Sequence, residues 1–441
     1  MAVIYILISV IAIVLLITKL KLHPFLALLF VSIAFGLVSG MSFTTLITSI
    51  QEGFGGTLGK IGLIIILGVI IGAFLEHSGG AITLAEKVLN IIGRKRVITA
   101  MGVIGYIVSI PVFGDSGFIL LSSLNRSLTK KAGLSLAATA IALAMGLTVT
   151  HTLVPPTPGP IAAAGILGAD LGKVILLGLF VAAIALIPAL IFAKKIAAKT
   201  YIDPQPLVPD EKTNNYSPGI LRSALPILVP IILIILKSLS AFLDETGWQF
   251  LLKNFLSFIG DPIIALIIGF FLCLLLPQKL ERSMLSTDGW VGKALVSCAS
   301  ILLITGAGGI FGKVLQNSEA GVLLGDSLSK LNIGILLPFI LAAAFKSAQG
   351  SSTVALITAA SIMVSLMPGL GFTGEWDKVL VVLAIGAGSM VVSHANDSYF
   401  WVVTQMSGMD VKTGYRLHTL GTLIIGVTAM IAVFILFSIL H

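Results

Sequence analysis

The chain is predicted to be an all-α polytopic membrane protein built as two inverted-topology repeats, each with five spanning helices, one of them broken, plus a re-entrant helical hairpin. Three observations predict it. Composition is one: 57% of residues are hydrophobic, 10% are charged and mean hydropathy is +1.10, a balance that a water-exposed surface does not accommodate. The apolar residues also fall in runs of membrane length, about 20 residues for a hydrocarbon core about 30 Å thick. Finally, two runs are interrupted at equivalent places in the two halves. One break is Thr150-His151-Thr152 leading into Pro155-Pro156-Thr157-Pro158-Gly159-Pro160; the other is Ser393-His394-Ala395-Asn396-Asp397-Ser398. Hydrocarbon offers an open backbone no hydrogen-bond partner, so a broken span is expected only inside protein or beside a wet cavity.

The N-terminal repeat is expected over 1–200. Its scaffold part, 1–96, holds spans at 3–18, 24–38 and 61–75. The first run carries no basic residue before it and no small-residue cleavage pattern after it, so it is expected to remain as a helix. Residues 97–200 hold a hairpin, with arms at 97–113 and 117–128 around Gly114-Asp115-Ser116, then the broken span 134–167 and a last span at 171–192. A polar, proline-rich stretch at 201–219 reads as a cytoplasmic linker. The C-terminal repeat, 220–441, follows the same order. Its scaffold part, 220–332, has spans at 224–242, 262–276 and 294–315. The part from 333 to 441 has a hairpin at 334–366 with Ser347-Ala348-Gln349-Gly350-Ser351-Ser352 at its tip, the broken span 379–406 and a final span at 417–440.

Residue matches support the duplication. His23-Pro24 pairs with Asp261-Pro262, Gly72 and Glu76 with Gly312 and Gln316, His151 with His394, and Gly168-Ala169-Asp170 with Gly408-Met409-Asp410, at a nearly constant offset of about 240 positions. The formal charge of +8 does not make a nucleic-acid surface, because the basic residues sit in short loops between apolar runs and form no basic face. They set topology instead. Placing Lys19, Lys21, Arg94, Lys95, Arg96, Lys130, Lys131, Lys194 and Lys195 in the cytoplasm leaves both termini outside. Basic residues flank the first hairpin on both sides, and its short second arm favours re-entry over crossing. Five crossings per half then invert the second copy, an arrangement associated with alternating-access transporters. Cys273 and Cys298 have neither disulfide nor zinc spacing, and no cofactor, metal site or ATP-binding motif is expected.

Several runs carry a family resemblance: Gly53-Phe54-Gly55-Gly56-Thr57-Leu58, Leu75-Glu76-His77-Ser78-Gly79-Gly80-Ala81, Pro111-Val112-Phe113-Gly114-Asp115-Ser116 and the two breaks. They resemble the gluconate:proton symporter family, the gluconate permeases, over nearly the whole chain. The resemblance implies proton-driven import of gluconate, a related small hydroxy-carboxylate such as glycerate, or D-serine, in a bacterial inner membrane. It also implies relation to a larger ion-transporter superfamily with paired hairpins, homodimeric scaffolds and elevator-like motion.

A polyhydroxy carboxylate calls for neutral hydrogen-bonding groups and positive potential from helix N-termini. The candidate substrate residues come from four places. They are Asp115 and Ser116 at the first hairpin tip; Thr150, His151, Thr152 and Thr157 at the first break; Gln349, Ser351, Ser352 and Thr353 at the second tip; and Ser393, His394, Asn396 and Ser398 at the second break. For any single Ser or Thr, a capping or turn role is an equal alternative. A carboxylate or imidazole at membrane depth is costly enough to imply function, so Asp397, Asp115, His151 and His394 are the proton-coupling candidates, the two aspartates first. Lys346, beside the second tip, either attracts the anion or snorkels to the surface. A channel and an intramembrane enzyme using Ser398, His394 and Asp397 are the competing classes.

Overall fold

A computed structural model of the chain describes residues 2–204, 217–240, 247–318 and 333–440. Most of the expected linker, 205–216, lies outside the described residues, as do the last two positions of the expected span 224–242. The regular elements of the described residues are all helices. Six are long and apolar enough to cross a membrane, and a seventh crossing arises if a pair bent by 64° counts as one span.

Helix α1 (Ala2–Thr18) leads to α2 (Pro24–Val38), which starts where Pro24 presets the backbone and the His23 ring accepts from Phe25 N–H. Helix α3 (Phe43–His77), capped by Ser42, has 35 residues and is longer than the expected span 61–75. The reason is local: Gly55, Gly56, Gly59 and Lys60 interrupt the apolar run but not the helix, whose backbone bonds within itself. Helix α4 (Gly80–Ile92) is amphipathic and had no counterpart in the sequence reading. Helices α5 (Val97–Val108) and α6 (Gly114–Lys131) form the first hairpin. The broken span is α7 (Leu136–Leu153) and α8 (Pro158–Leu167), followed by α9 (Leu171–Lys195).

The second half holds α10 (Ile220–Ser240), the bent pair α11 (Gly247–Ile259) and α12 (Pro262–Cys273), and α13 (Trp290–Asn317). Helices α14 (Leu336–Gln349) and α15 (Ser352–Leu366) are the second hairpin, α16 (Glu375–Ser389) and α17 (Ser398–Ser407) the second broken span. Helix α18 (Val411–Leu440) passes through a π-helical turn at Tyr415–Thr419. Arms of 12, 14 and 15 residues in α5, α14 and α15 reach only about 18 to 22 Å at 1.5 Å per residue, short of a bilayer core, whereas α6, expected as a short arm over 117–128, has 18 residues and reaches about 27 Å.

Matched sequences repeat in local geometry. Asp261 caps α12 as His23 caps α2. Gly168 and Gly408 both end a helix at φ 67°, a left-handed conformation glycine adopts at no steric cost. Asp170 and Asp410 then each cap the next helix, accepting from Lys173 N–H at 2.8 Å and Thr413 N–H at 2.9 Å.

Helices α3 and α13 run antiparallel through the centre. At one end His77 stacks on Trp290, with ring centroids 5.4 Å apart. At the other crossing Gly53 meets Gly309 so closely that a Cβ on Gly53 would lie 2.6 Å from the Gly309 carbonyl oxygen. Helices α5 and α7 meet similarly: a Cβ on Gly146 would lie 2.0 Å from the Gly102 oxygen. The glycines therefore let backbones touch, a common device of membrane helix pairs. The α7–α8 span is the most enclosed, 94% buried over its most apolar window, so its break is surrounded by protein as expected.

Candidate substrate site

Both hairpin tips and both breaks converge on one cavity of about 570 Å³. Asp115 and Ser116 reach it from the start of α6, and His151 and Thr152 from the end of α7. The second tip contributes Gln349, Ser351, Ser352 and Thr353, and the second break Ser393, Asn396, Asp397 and Ser398. Three helices, α6, α15 and α17, begin at its wall. Their free N–H groups carry the positive end of the helix dipole, which favours an anion.

Three of the expected residues stand off the cavity. Thr150 is fully buried and its hydroxyl has no protein partner among the described residues. Thr157 donates to the backbone oxygens of His151, at 2.9 Å, and Val154, at 2.7 Å, closing the first break on itself. The His394 ring bonds the Ser347 carbonyl at 2.9 Å and stacks on Tyr415, while Asn396 Nδ2 donates to the same carbonyl at 3.0 Å. The second break is thereby clasped to the second hairpin tip.

The strongest electrostatic feature is a buried ion pair. Lys346 Nζ lies 2.6 Å from Asp397 Oδ2, with side chains 3% and 6% exposed, so this lysine does not snorkel to the surface. It also donates to the Gly350 carbonyl. Asp397 accepts from Ser393 Oγ at 2.5 Å and caps α17 through Tyr399 N–H at 3.1 Å. Behind Ser393, at 3.0 Å, stands Nε2 of His418, which is completely buried within the π-helical turn of α18. Helix α18 also satisfies the opened backbone, since Thr422 Oγ1 accepts from Ser393 N–H and Thr419 Oγ1 donates to its carbonyl. Across the cavity Ser398 Oγ donates to Asp115 Oδ2 at 3.1 Å.

Sequence reasoning missed Ser297, Ser300, Tyr399 and Thr422 on the cavity wall and His418 behind it. A polar residue inside an otherwise apolar run, as at His418 and Thr422, was the available signal. The Gln349 amide lines the cavity with neither atom paired to protein among the described residues, leaving a donor and an acceptor for a ligand. The supposed nucleophilic constellation does not assemble: Ser398 faces Asp115, His394 faces a carbonyl and Asp397 faces Lys346.

One half of α13 forms part of the cavity wall. Ser297, Ser300, Ile301 and Ile304 line it, and Ser300 Oγ bonds His23 Nε2 at 3.0 Å. Trp290, stacked on His77, begins the same helix. The position on α3 matched to Ile301 is Ile61, which is 3% exposed and packs on Gly165 of α8. Ile301 thus lines the cavity, whereas Ile61 is covered by protein.

A family profile described as GntP family permease matches residues 1–440. The chain belongs to the GntP family of permeases. It is 34% identical to the gluconate permease of Pseudomonas aeruginosa, over 98% of this chain and 96% of the relative. It is 35% identical to the D-serine transporter DsdX of Escherichia coli O6:H1, covering 98% and 97%. The solved structure of the Alcanivorax borkumensis YdaH transporter superposes with a TM-score of 0.66 over 89% of this chain and 88% of that one, at 16% identity, and so shares the fold. This GntP permease is therefore a multi-pass membrane transporter of a bacterial family, and not an enzyme.

Proposed function

We propose that this permease imports gluconate or a related small hydroxy-carboxylate together with a proton, by elevator-type alternating access between two inverted repeats. The observation that carries the reading is the buried Lys346–Asp397 pair in the wall of a polar cavity. In the empty site the two charges compensate each other. A carboxylate entering alone would leave one negative charge uncompensated in a low-dielectric site, which is costly. A proton arriving on Asp397 removes that cost: Lys346 is released to pair with the substrate carboxylate, and the loaded site is again neutral at this pair. One anion and one proton thus enter as a unit. Hydroxyls of Ser352, Thr353 and Ser398 and the Gln349 amide supply partners for the substrate's hydroxyl groups.

The antiparallel α3 and α13, the repeated caps and the contrast between Ile301 on the cavity and Ile61 under protein support two mirror-related half-routes that open in turn. Asp115 supports a second reading. Its carboxylate, opposite Lys346 and bonded among the described residues only by Ser398, offers an ammonium partner, so D-serine would be held at both ends. Thermal stabilisation of the purified protein by gluconate, glycerate and D-serine, followed by uptake into proteoliposomes with a lumenal pH dye, decides between them. No stabilisation and no uptake with any of the three would overturn the proposal.

A further inference from the structure

A second cavity, of about 270 Å³, lies between α3, α13, α8 and α15, away from the central site. Along α13 the central cavity is lined around Ser300 and this one around Gly312, a separation of about 18 Å at 1.5 Å per residue. The second cavity therefore sits toward the other end of α13, the end that the placement of basic residues in the loops puts outside. Its wall contains Thr57 and Lys60 on α3 and Lys313 and Gln316 on α13. Lys313 is bonded to Glu52 at 3.1 Å, whereas Lys60 is exposed and has no ion-pair partner among the described residues.

The positions are matched ones. At the offset that pairs Gly72 with Gly312, Thr57 and Lys60 correspond to Ser297 and Ser300, which line the central cavity. The floors differ: Ile301 lines the central cavity, while Ile61 is packed against Gly165, so that a Cβ on Gly165 would lie 2.1 Å from the Ile61 side chain. We propose that the second cavity is a vestibule that collects small carboxylates on Lys60, with Thr57 and Gln316 beside it, and delivers them to the central site when the Ile61–Gly165 contact opens. This rests on the transporter reading given above. The lysine lies at the position where the central cavity has a serine, and a cation in the cavity wall, unpaired among the described residues, is suited to holding an anion before entry.

Initial rates of gluconate uptake into intact cells test the proposal. Lys60→Gln is expected to raise KM about two- to fivefold, the scale of one exposed ion pair, with the maximal rate unchanged, because steering changes encounter and not the central site. Lys60→Arg should behave as the native protein. Added salt should raise the native KM and leave the Lys60→Gln value flat, since an exposed charge is screened; a purely structural role would not produce that difference. Gluconate binding to the purified variant, read by thermal shift, should stay native. Should Lys60→Gln fail to reach the membrane, Thr57→Cys provides the same test: an anionic thiol reagent added outside should react with it faster than a neutral one, and salt should abolish the preference. A native KM in Lys60→Gln, or an unreactive or charge-indifferent Thr57→Cys, overturns the vestibule. Absence of uptake by the native protein would instead overturn the transporter reading on which it depends.

Discussion

Replacing Asp397 with Asn removes one charge from a pair whose members are 2.6 Å apart and almost fully buried. The amide keeps the shape and still accepts from Tyr399 N–H, so the cap of α17 survives. What changes is Lys346, left charged and uncompensated; breaking a buried pair from one side costs about 3 to 5 kcal/mol. The substrate-free variant should therefore melt well below the native protein, and an anionic substrate should restore more stability to it than to the native protein. Coupling predicts a second difference. If the native site takes up one proton with each anion, affinity falls about tenfold per pH unit as pH rises while Asp397 is ionised, because the bound state holds the extra proton. In Asp397→Asn the anion pairs with Lys346 directly, and affinity should be flat with pH. Melting curves with gluconate at pH 6, 7 and 8 read the binding; proteoliposomes loaded with a pH dye read the proton. Full uptake by Asp397→Asn with native acidification of the lumen would remove Asp397 from the coupling role.

Ser352→Ala should weaken gluconate binding by about 0.5 to 1.5 kcal/mol without lowering the melting temperature of the empty protein, whereas Ser351→Ala, which removes the cap on Val354 N–H, should cost about 1 kcal/mol of stability; calorimetry and thermal melting separate the two. His418→Phe preserves the bulk of a fully buried ring but strips Ser393 of its partner, so proton-linked uptake should lose its pH dependence while binding measured at acid pH remains; an unchanged pH profile would dismiss His418 from the chain of contacts behind Asp397. Gly146→Ala sets a methyl group against the Gly102 oxygen and should destabilise by about 1 to 3 kcal/mol, while Gly55→Ala, with nothing within 4 Å of its Cβ position, should leave the melting temperature in place.

Much of the site was legible because breaking a helix in hydrocarbon requires distinctive residues. The run Pro155-Pro156-Thr157-Pro158 and the run His394-Ala395-Asn396-Asp397 mark both interruptions, and the structure opens its backbone at both. Hairpin tips were legible from small polar residues between the arms, although α6, expected over 117–128, runs to 18 residues, because its polar first and last turns do not register as an apolar run. Helix α3 was misjudged at its start because Gly55, Gly56 and Lys60 interrupt the apolar run without ending the helix. The amphipathic α4 was overlooked because its charged residues, Glu86 and Lys87, read as loop. Lys346 was ambiguous for a different reason: a lysine near a helix end snorkels as readily as it pairs, and only the fold brings Asp397, 51 residues away in sequence, to its side. Likewise His418 gains meaning only from Ser393, which a π-helical turn places against it.

The crossing of α3 and α13 at Gly53 and Gly309 has a mechanical consequence. Each backbone occupies the room a methyl group would need on the other, with only the Thr57 side chain beside Gly309, so the contact has little side-chain layer that could creep or re-rotamerise under load. Two rods touching main chain to main chain make a stiff rivet, and displacement is directed to surfaces whose contacts are interchangeable side chains. Such a rivet gives the molecule a fixed datum, and any stroke of its other parts is measured from there.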